Sequence, residues 1–155
     1  MPENLKISWR HTTVGIVSDN GEWRRALRAM LASFGAADVI ESPSGADFLQ
    51  FAETGKTSLD LLMVDDEMKP LDGFAMMYSL RSSPDLACRR VTAILMPSHG
   101  DVDVLRRALE SGYHSVLPKP FSANTLGQHV QRLLMRPTTW KETGDFIRPV
   151  PLKAS

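Results

Sequence analysis

The chain of 155 residues is long enough for one domain of ordinary size, and its 43% hydrophobic content is typical of a globular fold. Its 18 basic residues equal its 18 acidic residues, so the composition lacks the basic excess that marks nucleic-acid-binding proteins. The single cysteine, Cys88, excludes an internal disulfide, and no apolar run approaches the ~20 residues of a membrane span. The amino terminus does not look like a signal peptide, and we therefore expect a soluble cytoplasmic protein.

Short apolar runs alternate along the chain with segments whose apolar residues fall at helical spacing. The predicted strands are residues 13–17, 37–41, 59–65, 91–96 and 114–117. The predicted helices begin after Asn20, Ser44, Asp72, Asp101 and Ser122, which are all residue types that cap helix N-termini. Five strands that alternate with five helices indicate parallel strands joined by right-handed crossovers. The predicted fold is therefore α/β: a flavodoxin-like (βα)5 doubly wound parallel sheet with strand order 2-1-3-4-5.

Three segments differ in pattern. Residues 1–11 form a polar arm, residues 12–135 form the domain, and residues 136–155 form an extended tail with three prolines and no sustained periodicity. A largely polar tail has no reason to expose two large aromatic residues, so we expect Trp140 and Phe146 to pack on the domain or against a partner.

Polar residues follow four of the predicted strands at the points where the strands end. In this topology those ends converge, and they bring together the pair Ser18-Asp19, Asp65, the pair Pro97-Ser98, and Lys119. Two neighbouring carboxylates repel unless a cation lies between them, and Mg²⁺ prefers such oxygen ligands. A lysine can hold a phosphate, and a carboxylate can act as a nucleophile toward a phosphoryl group. The pattern indicates an aspartate that accepts a phosphoryl group, with a structural Asp–Lys ion pair as the alternative.

Two motifs carry a family resemblance: D-L-L-M-V-D-D-E-M-K-P-L-D-G at 60–73 and V-L-P-K-P-F at 116–121. Together with the element order, they make residues 12–135 similar to a bacterial response-regulator receiver domain of a two-component system. In that family the phospho-acceptor lies seven residues before the Asp of Asp-Gly, which selects Asp65 over Asp66. The family's strand-five lysine matches Lys119, whose bond to the following proline is often cis in receivers.

The resemblance implies a receiver in phosphorelay signal transduction. A sensor histidine kinase or phosphotransfer protein would phosphorylate Asp65, while Asp19, Asp65 and the backbone carbonyl of Glu67 hold Mg²⁺ and Lys119 contacts the phosphate. No enzymatic activity beyond self-phosphorylation and autodephosphorylation is implied. The tail resembles the end of certain stand-alone receivers, so we expect no DNA-binding domain, no membrane contact, and output through protein contacts, with an unknown downstream partner and a homodimer left open.

Three positions depart from the family pattern. Ser18 replaces one of two adjacent acids, so we expect weaker Mg²⁺ binding. Pro97 stands where receivers carry a switch Ser or Thr, and since proline has neither a hydroxyl nor an N–H, Ser98 is the candidate substitute. Val116 stands where the family tends to place an aromatic switch residue. These departures favour an alternative, a degenerate receiver that binds proteins without phosphorylation.

Two further interpretations are weaker. A small hydrolase or phosphatase is disfavoured because no Ser/His/Asp or Cys/His set lies at the strand ends. Arg106 and Arg107 form a solvated helix face or, as the alternative, part of a docking surface with Tyr113 and Val116.

Overall fold

The structure, a computed structural model, describes residues 7–56 and 58–151 of the chain. Five parallel strands form one sheet in the order β2-β1-β3-β4-β5, which confirms the predicted flavodoxin-like topology. The strands are β1 Thr13–Val17, β2 Asp38–Ser42, β3 Leu61–Asp65, β4 Thr92–Met96 and β5 Ser115–Val116. Asp65 and Met96 are partners in the β3–β4 register, so these two strands end side by side.

Five helices cover the sheet: α1 Gly21–Phe34, α2 Gly45–Thr54, α3 Gly73–Arg81, α4 Val102–Ser111 and α5 Ala123–Leu134. Each begins at its predicted cap, because the capping side chain accepts a backbone N–H that the first helical turn leaves unpaired. Within the described part of the chain, no helix is both long enough and apolar enough to cross a bilayer.

The sheet separates two hydrophobic cores. Alternate residues of β3 point to opposite faces, so Leu61 and Met63 belong to one core while Leu62 and Val64 belong to the other. The first core includes buried residues of α1 and α5, and the second includes buried residues of α2, α3 and α4. All five residues of β3 are buried, which explains why the run that leads to Asp65 is almost entirely apolar.

The carboxyl-terminal segment is more ordered than the sequence indicates. Instead of an extended tail, the segment contains an antiparallel hairpin of β6 Trp140–Thr143 and β7 Phe146–Pro149, which packs on α3 and α4. The Phe146 ring stacks on Tyr78 with centroids 4.7 Å apart, and the Trp140 ring lies edge-on to His114 at 5.5 Å. Of the two predicted alternatives, packing on the domain or against a partner, the structure shows the first for both aromatic residues.

The predicted arm at 1–11 lies partly outside the described residues. Its described part includes a single 3-10 turn, Trp9–His11, and the Trp9 ring stacks on Phe34 of α1 with centroids 4.9 Å apart.

Candidate functional site

Asp65 is the last residue of β3, and its side chain is held on both sides. It is 2% exposed. Lys119 Nζ lies 2.5 Å from Asp65 Oδ1, and the Ser18 hydroxyl donates a hydrogen bond to Asp65 Oδ2. A carboxylate with so little exposure needs such partners, because an unpaired buried charge is strongly unfavourable. The sequence expectation that Asp65 and Lys119 meet at the carboxyl edge of the sheet matches this geometry.

Lys119 is positioned by the chain that leaves β5. Its backbone N–H donates to the Pro97 carbonyl over 2.8 Å, which joins the ends of β5 and β4. The bond between Lys119 and Pro120 is cis, as the family resemblance implies. The Lys119 ammonium also lies 5.9 Å from the centroid of the Trp23 ring.

Ser18 is fully buried and does more than replace an acid. Its hydroxyl accepts the Asn20 N–H over 3.1 Å while donating to Asp65, and its carbonyl accepts from Arg24 Nη1 over 2.5 Å. The sequence predicts that Ser18 lies at the same edge of the sheet as Asp65, but it does not predict the hydrogen bond between them. No signal in the sequence gives the direction of this side chain.

The loop from β3 to α3 closes tightly over Asp65. The Gly73 N–H donates to the Asp66 carbonyl over 2.9 Å, and the Asp72 carboxylate caps α3 by accepting the Ala75 N–H. A Cβ at position 73 would lie 2.2 Å from the Asp65 carbonyl oxygen, so only glycine fits there. The Asp-Gly pair therefore sets how closely the first turn of α3 approaches the candidate acceptor.

An acidic cleft of about 700 Å³ opens beside the strand ends. Its lining consists of Asp19, Asp66, Glu67, Met68, Lys69, Asp72, Phe74, His99, Asp101, Val104 and Arg107. Asp19 and Glu67 are both exposed, whereas Asp65, at the end of β3, is buried.

Magnesium binding by the donors that the sequence selects stays a prediction. Among the described residues, no group of three or more His, Cys, Asp or Glu side chains is arranged to hold a metal. Mg²⁺ commonly takes only one or two carboxylates from a protein and completes its shell with water and phosphate oxygens. Asp19, Asp65 and the Glu67 carbonyl supply oxygen donors of this kind.

The remaining sequence candidates fall in different environments. Pro97 is buried directly after β4, and Ser98 beside it is exposed. A contact between the Ser98 hydroxyl and a phosphoryl group therefore stays a prediction. Val116 is half-buried and packs against the core that includes α3 and α4.

Tyr113 corrects the sequence interpretation. It is fully buried, so it cannot belong to the candidate docking surface. Its hydroxyl donates to the Gly73 carbonyl over 2.7 Å, at the start of α3. Burial raises the pKa of the phenol well above its ordinary value, so the group stays a neutral donor. The sequence offers no sign of this contact, which joins residues 40 positions apart.

The fold and this edge of the sheet define a class of protein: a flavodoxin-like α/β domain with an aspartate–lysine pair at the carboxyl ends of its strands. A family model described as the response regulator receiver domain matches residues 14–131. The chain therefore belongs to the response regulator receiver family.

Relatives differ in how much of their length the chain covers. "Chemotaxis protein CheY" of Pseudomonas aeruginosa is 22% identical over 121 residues, which are 78% of this chain and 94% of that protein. "Probable transcriptional regulator ycf27" of Cyanidium caldarium is 30% identical over 123 residues, which are 78% of this chain but 45% of that protein.

Solved structures share the fold. Chemotaxis protein CheY4 of Vibrio cholerae matches with a TM-score of 0.71 at 21% identity, over 79% of this chain and 98% of that chain. The signal receiver domain of a histidine kinase from Syntrophus aciditrophicus matches with a TM-score of 0.68 at 29% identity, over 79% of this chain and 89% of that one. The family thus has members in chemotaxis proteins and in sensor kinases.

Proposed function

We propose that this receiver accepts a phosphoryl group on Asp65 from a histidine kinase or a phosphotransfer protein. The observation that carries the proposal is the Asp65 carboxylate, 2% exposed at the end of β3, with Lys119 Nζ 2.5 Å from one of its oxygens. An ion pair with a purely structural role would not need to lie at one particular edge of the sheet. At the carboxyl edge, beside an acidic cleft, the pair lies where ligands bind to folds of this topology.

The transfer converts a phosphorylated histidine of the donor into an aspartyl phosphate. A carboxylate oxygen of Asp65 forms a bond to phosphorus while the bond from phosphorus to the donor nitrogen breaks. The electron pair of that bond returns to the imidazole, which takes up a proton. Lys119 then faces the new phosphoryl oxygens and offsets their charge.

We assign magnesium binding to Asp19, Asp65 and the Glu67 carbonyl. A bound ion supplies positive charge that offsets the repulsion between the phosphoryl oxygens and these acids. Ser18 contributes a neutral hydroxyl where receivers usually carry an acid, so the ion is held more weakly than in a site with three carboxylates. Ser98, exposed beside Pro97, is the nearest candidate to replace the missing switch hydroxyl.

The output of this receiver is a change in protein contacts. Its relatives include proteins named for chemotaxis and for transcriptional regulation. These names differ in the downstream process, so we assign the chain only to phosphorelay signalling, which its membership of the receiver family supports. A homodimer or a separate downstream protein can receive the signal.

A second function, protein binding without phosphorylation, is favoured by one observation. Pro97 is buried at the switch position, and its only polar backbone group, the carbonyl, already accepts the Lys119 N–H. The usual route by which a phosphoryl group attracts a hydroxyl after β4 is therefore missing at this position. A degenerate receiver of this kind would keep the Asp–Lys pair as a structural ion pair.

Intact-mass spectrometry separates the two functions. The purified protein is incubated with Mg²⁺ and a small phosphodonor such as acetyl phosphate, and with a cognate kinase where one is known. We expect the mass of one added phosphoryl group, lost in Asp65→Asn and when a chelator removes the metal. The matched control is Asp66→Asn, which changes the neighbouring acid and should keep the adduct. The absence of any adduct under both donors would favour the phosphorylation-independent module.

A further inference from the structure

A buried tyrosine fixes the loop that follows the candidate acceptor. The Tyr113 hydroxyl donates to the Gly73 carbonyl over 2.7 Å, and the Gly73 N–H donates to the Asp66 carbonyl over 2.9 Å. Tyr113 has no exposed surface, so its ring and hydroxyl have little freedom to move independently of this loop. Any displacement of the first turn of α3 relative to Asp65 must stretch or break these hydrogen bonds.

A buried arginine lies at the other end of this connection. Arg81, the last residue of α3, has no exposed surface and donates from Nε to the Gly112 carbonyl over 3.0 Å. Gly112 directly precedes Tyr113 and has φ of 116°, and a Cβ there would lie 2.6 Å from Arg81 Cγ. The turn that carries Tyr113 therefore interlocks with Arg81 and cannot shift alone.

The hairpin completes the environment of this arginine. The Arg81 guanidinium lies 4.8 Å from the centroid of the Trp140 ring, a distance at which cation and ring attract. Arg81 Nη1 donates to the Arg89 carbonyl over 2.6 Å, while Nη2 has no hydrogen-bond partner among the described residues. Burial lowers the pKa of Arg81 to about 9, so the group remains charged at neutral pH. A buried cation with an unpaired donor depends strongly on the ring that covers it.

We propose that Tyr113 and Arg81 couple the acceptor loop to the carboxyl-terminal hairpin, so that the hairpin is the output element of this receiver. The path runs from Asp66 through Gly73 to Tyr113, and from Gly112 through Arg81 to Trp140. It bypasses Pro97 and Val116, which lack the groups of the usual receiver switch. The input to this path rests on the proposed phosphorylation of Asp65, but the coupling itself exists in the unmodified protein.

Coupling is reciprocal, so a change at the hairpin must reach the acceptor loop. In ¹⁵N-labelled, unphosphorylated protein, Trp140→Leu should shift the backbone amide resonances of Asp66 and Gly73. Phe146→Leu is the matched control, since it removes a hairpin ring that stacks on Tyr78 rather than on Arg81. The Tyr113→Phe variant lacks only the hydroxyl. In that variant, adding Trp140→Leu should leave the amide resonances of Asp66 and Gly73 where Tyr113→Phe alone places them. Trp140→Phe replaces Trp140→Leu if the larger truncation does not fold.

The result distinguishes this proposal from the proposed function. The coupling is overturned if the Asp66 and Gly73 amide resonances do not shift in Trp140→Leu. It is also overturned if they shift equally with and without the Tyr113 hydroxyl. Both results hold whether or not Asp65 is phosphorylated. A second experiment uses phosphorylated protein, in which mass spectrometry has verified the phosphoryl adduct. Hydrogen exchange in the hairpin should then change on phosphorylation in the parent protein and stay constant in Tyr113→Phe with the same adduct. Unchanged exchange in the phosphorylated parent protein also overturns the proposal.

Discussion

At the level of single residues, Ser18 gives the acceptor site one negative charge fewer than receivers usually have. Its hydroxyl donates to Asp65, so the two strand ends meet through an attractive hydrogen bond rather than through a pair of like charges. The Ser18 and Asp65 side chains therefore stay together without a metal ion between them, which two adjacent carboxylates would need. The serine also leaves the proposed magnesium site with one charged group fewer than receivers usually carry.

An acid at position 18, as receivers usually carry, should strengthen Mg²⁺ binding and weaken the metal-free site. We expect Ser18→Asp to bind Mg²⁺ about tenfold more tightly, equivalent to about 1.4 kcal/mol, because it adds a charged oxygen ligand. Without metal the variant should be less stable than the parent protein, because its carboxylate repels Asp65. Calorimetric titration with Mg²⁺ measures the affinity. Ser98→Asp, which places an acid on the exposed loop after β4, is the control, and equal affinity in Ser18→Asp and the parent protein would contradict this account.

At the level of secondary-structure elements, His114 joins β4 to the hairpin and to the segment that precedes it. Its Nδ1 accepts the Ala93 N–H over 3.1 Å, so the proton lies on Nε2, which donates to Thr138 Oγ1 over 2.9 Å. The ring also lies edge-on to Trp140 of the hairpin. Burial, with a smaller contribution from the Arg81 cation, lowers the pKa of His114 from 6.5 to about 3. Protonation of Nδ1 would break the bond to Ala93.

The protein should therefore lose stability in mild acid. The unfolded chain takes up a proton on His114 below pH 6.5, while the folded protein resists it down to about pH 3. The stabilisation is complete above pH 6.5 and declines through this window, by at most about 1.4 kcal/mol per pH unit. Urea unfolding at several pH values measures the slope. His114→Asn retains an acceptor for the Ala93 N–H and should reduce the slope of the unfolding free energy against pH. A smaller slope should remain because burial also lowers the pKa of His129. Parallel slopes in the two proteins would refute the assignment.

The hairpin is stabilised by its contact with the domain, because an isolated two-stranded hairpin is marginal in water. Ile147 is its fully buried residue, while Val150 just beyond β7 is 43% exposed. Ile147→Ala should lower the free energy of unfolding by about 2–4 kcal/mol. Val150→Ala should change it by no more than about 0.5 kcal/mol. Urea denaturation of the two variants tests the difference, and a loss for Ile147→Ala as small as that for Val150→Ala would mean that the hairpin contributes little to stability.

At the scale of the whole molecule, the sheet and helices were predictable because each element carries its own signal. Strands such as β3 are continuous apolar runs, the helices have period-3.6 faces, and the capping residues mark their starts. The meeting of Asp65 and Lys119 could be predicted, because Asp65 ends β3, Lys119 lies just after β5, and the topology places both strand ends at one edge of the sheet. The bond between Ser18 and Asp65 could not, because it depends on side-chain directions in residues 47 positions apart.

The hairpin and the Tyr113–Arg81 path escaped prediction for a related reason. β6 is mostly exposed and carries no alternating pattern, so it forms through pairing with β7, which contacts α3 and α4, rather than through local propensity. A buried arginine is uncommon, and the polar sequence around Arg81 indicates a loop rather than an interior. Interactions that join distant segments are thus the part of the molecule that only the three-dimensional structure reveals.

The central claim is that Asp65 carries the phosphoryl group, and chemical trapping tests it most directly. The protein is treated with Mg²⁺ and acetyl phosphate and then reduced with borohydride, which converts an aspartyl phosphate into homoserine and releases phosphate. Peptide mass spectrometry then locates the homoserine. The account predicts homoserine at position 65 and none there in Asp65→Asn. Homoserine at Asp66 or Asp72 instead, or at no aspartate after treatment with an active cognate kinase, would contradict it.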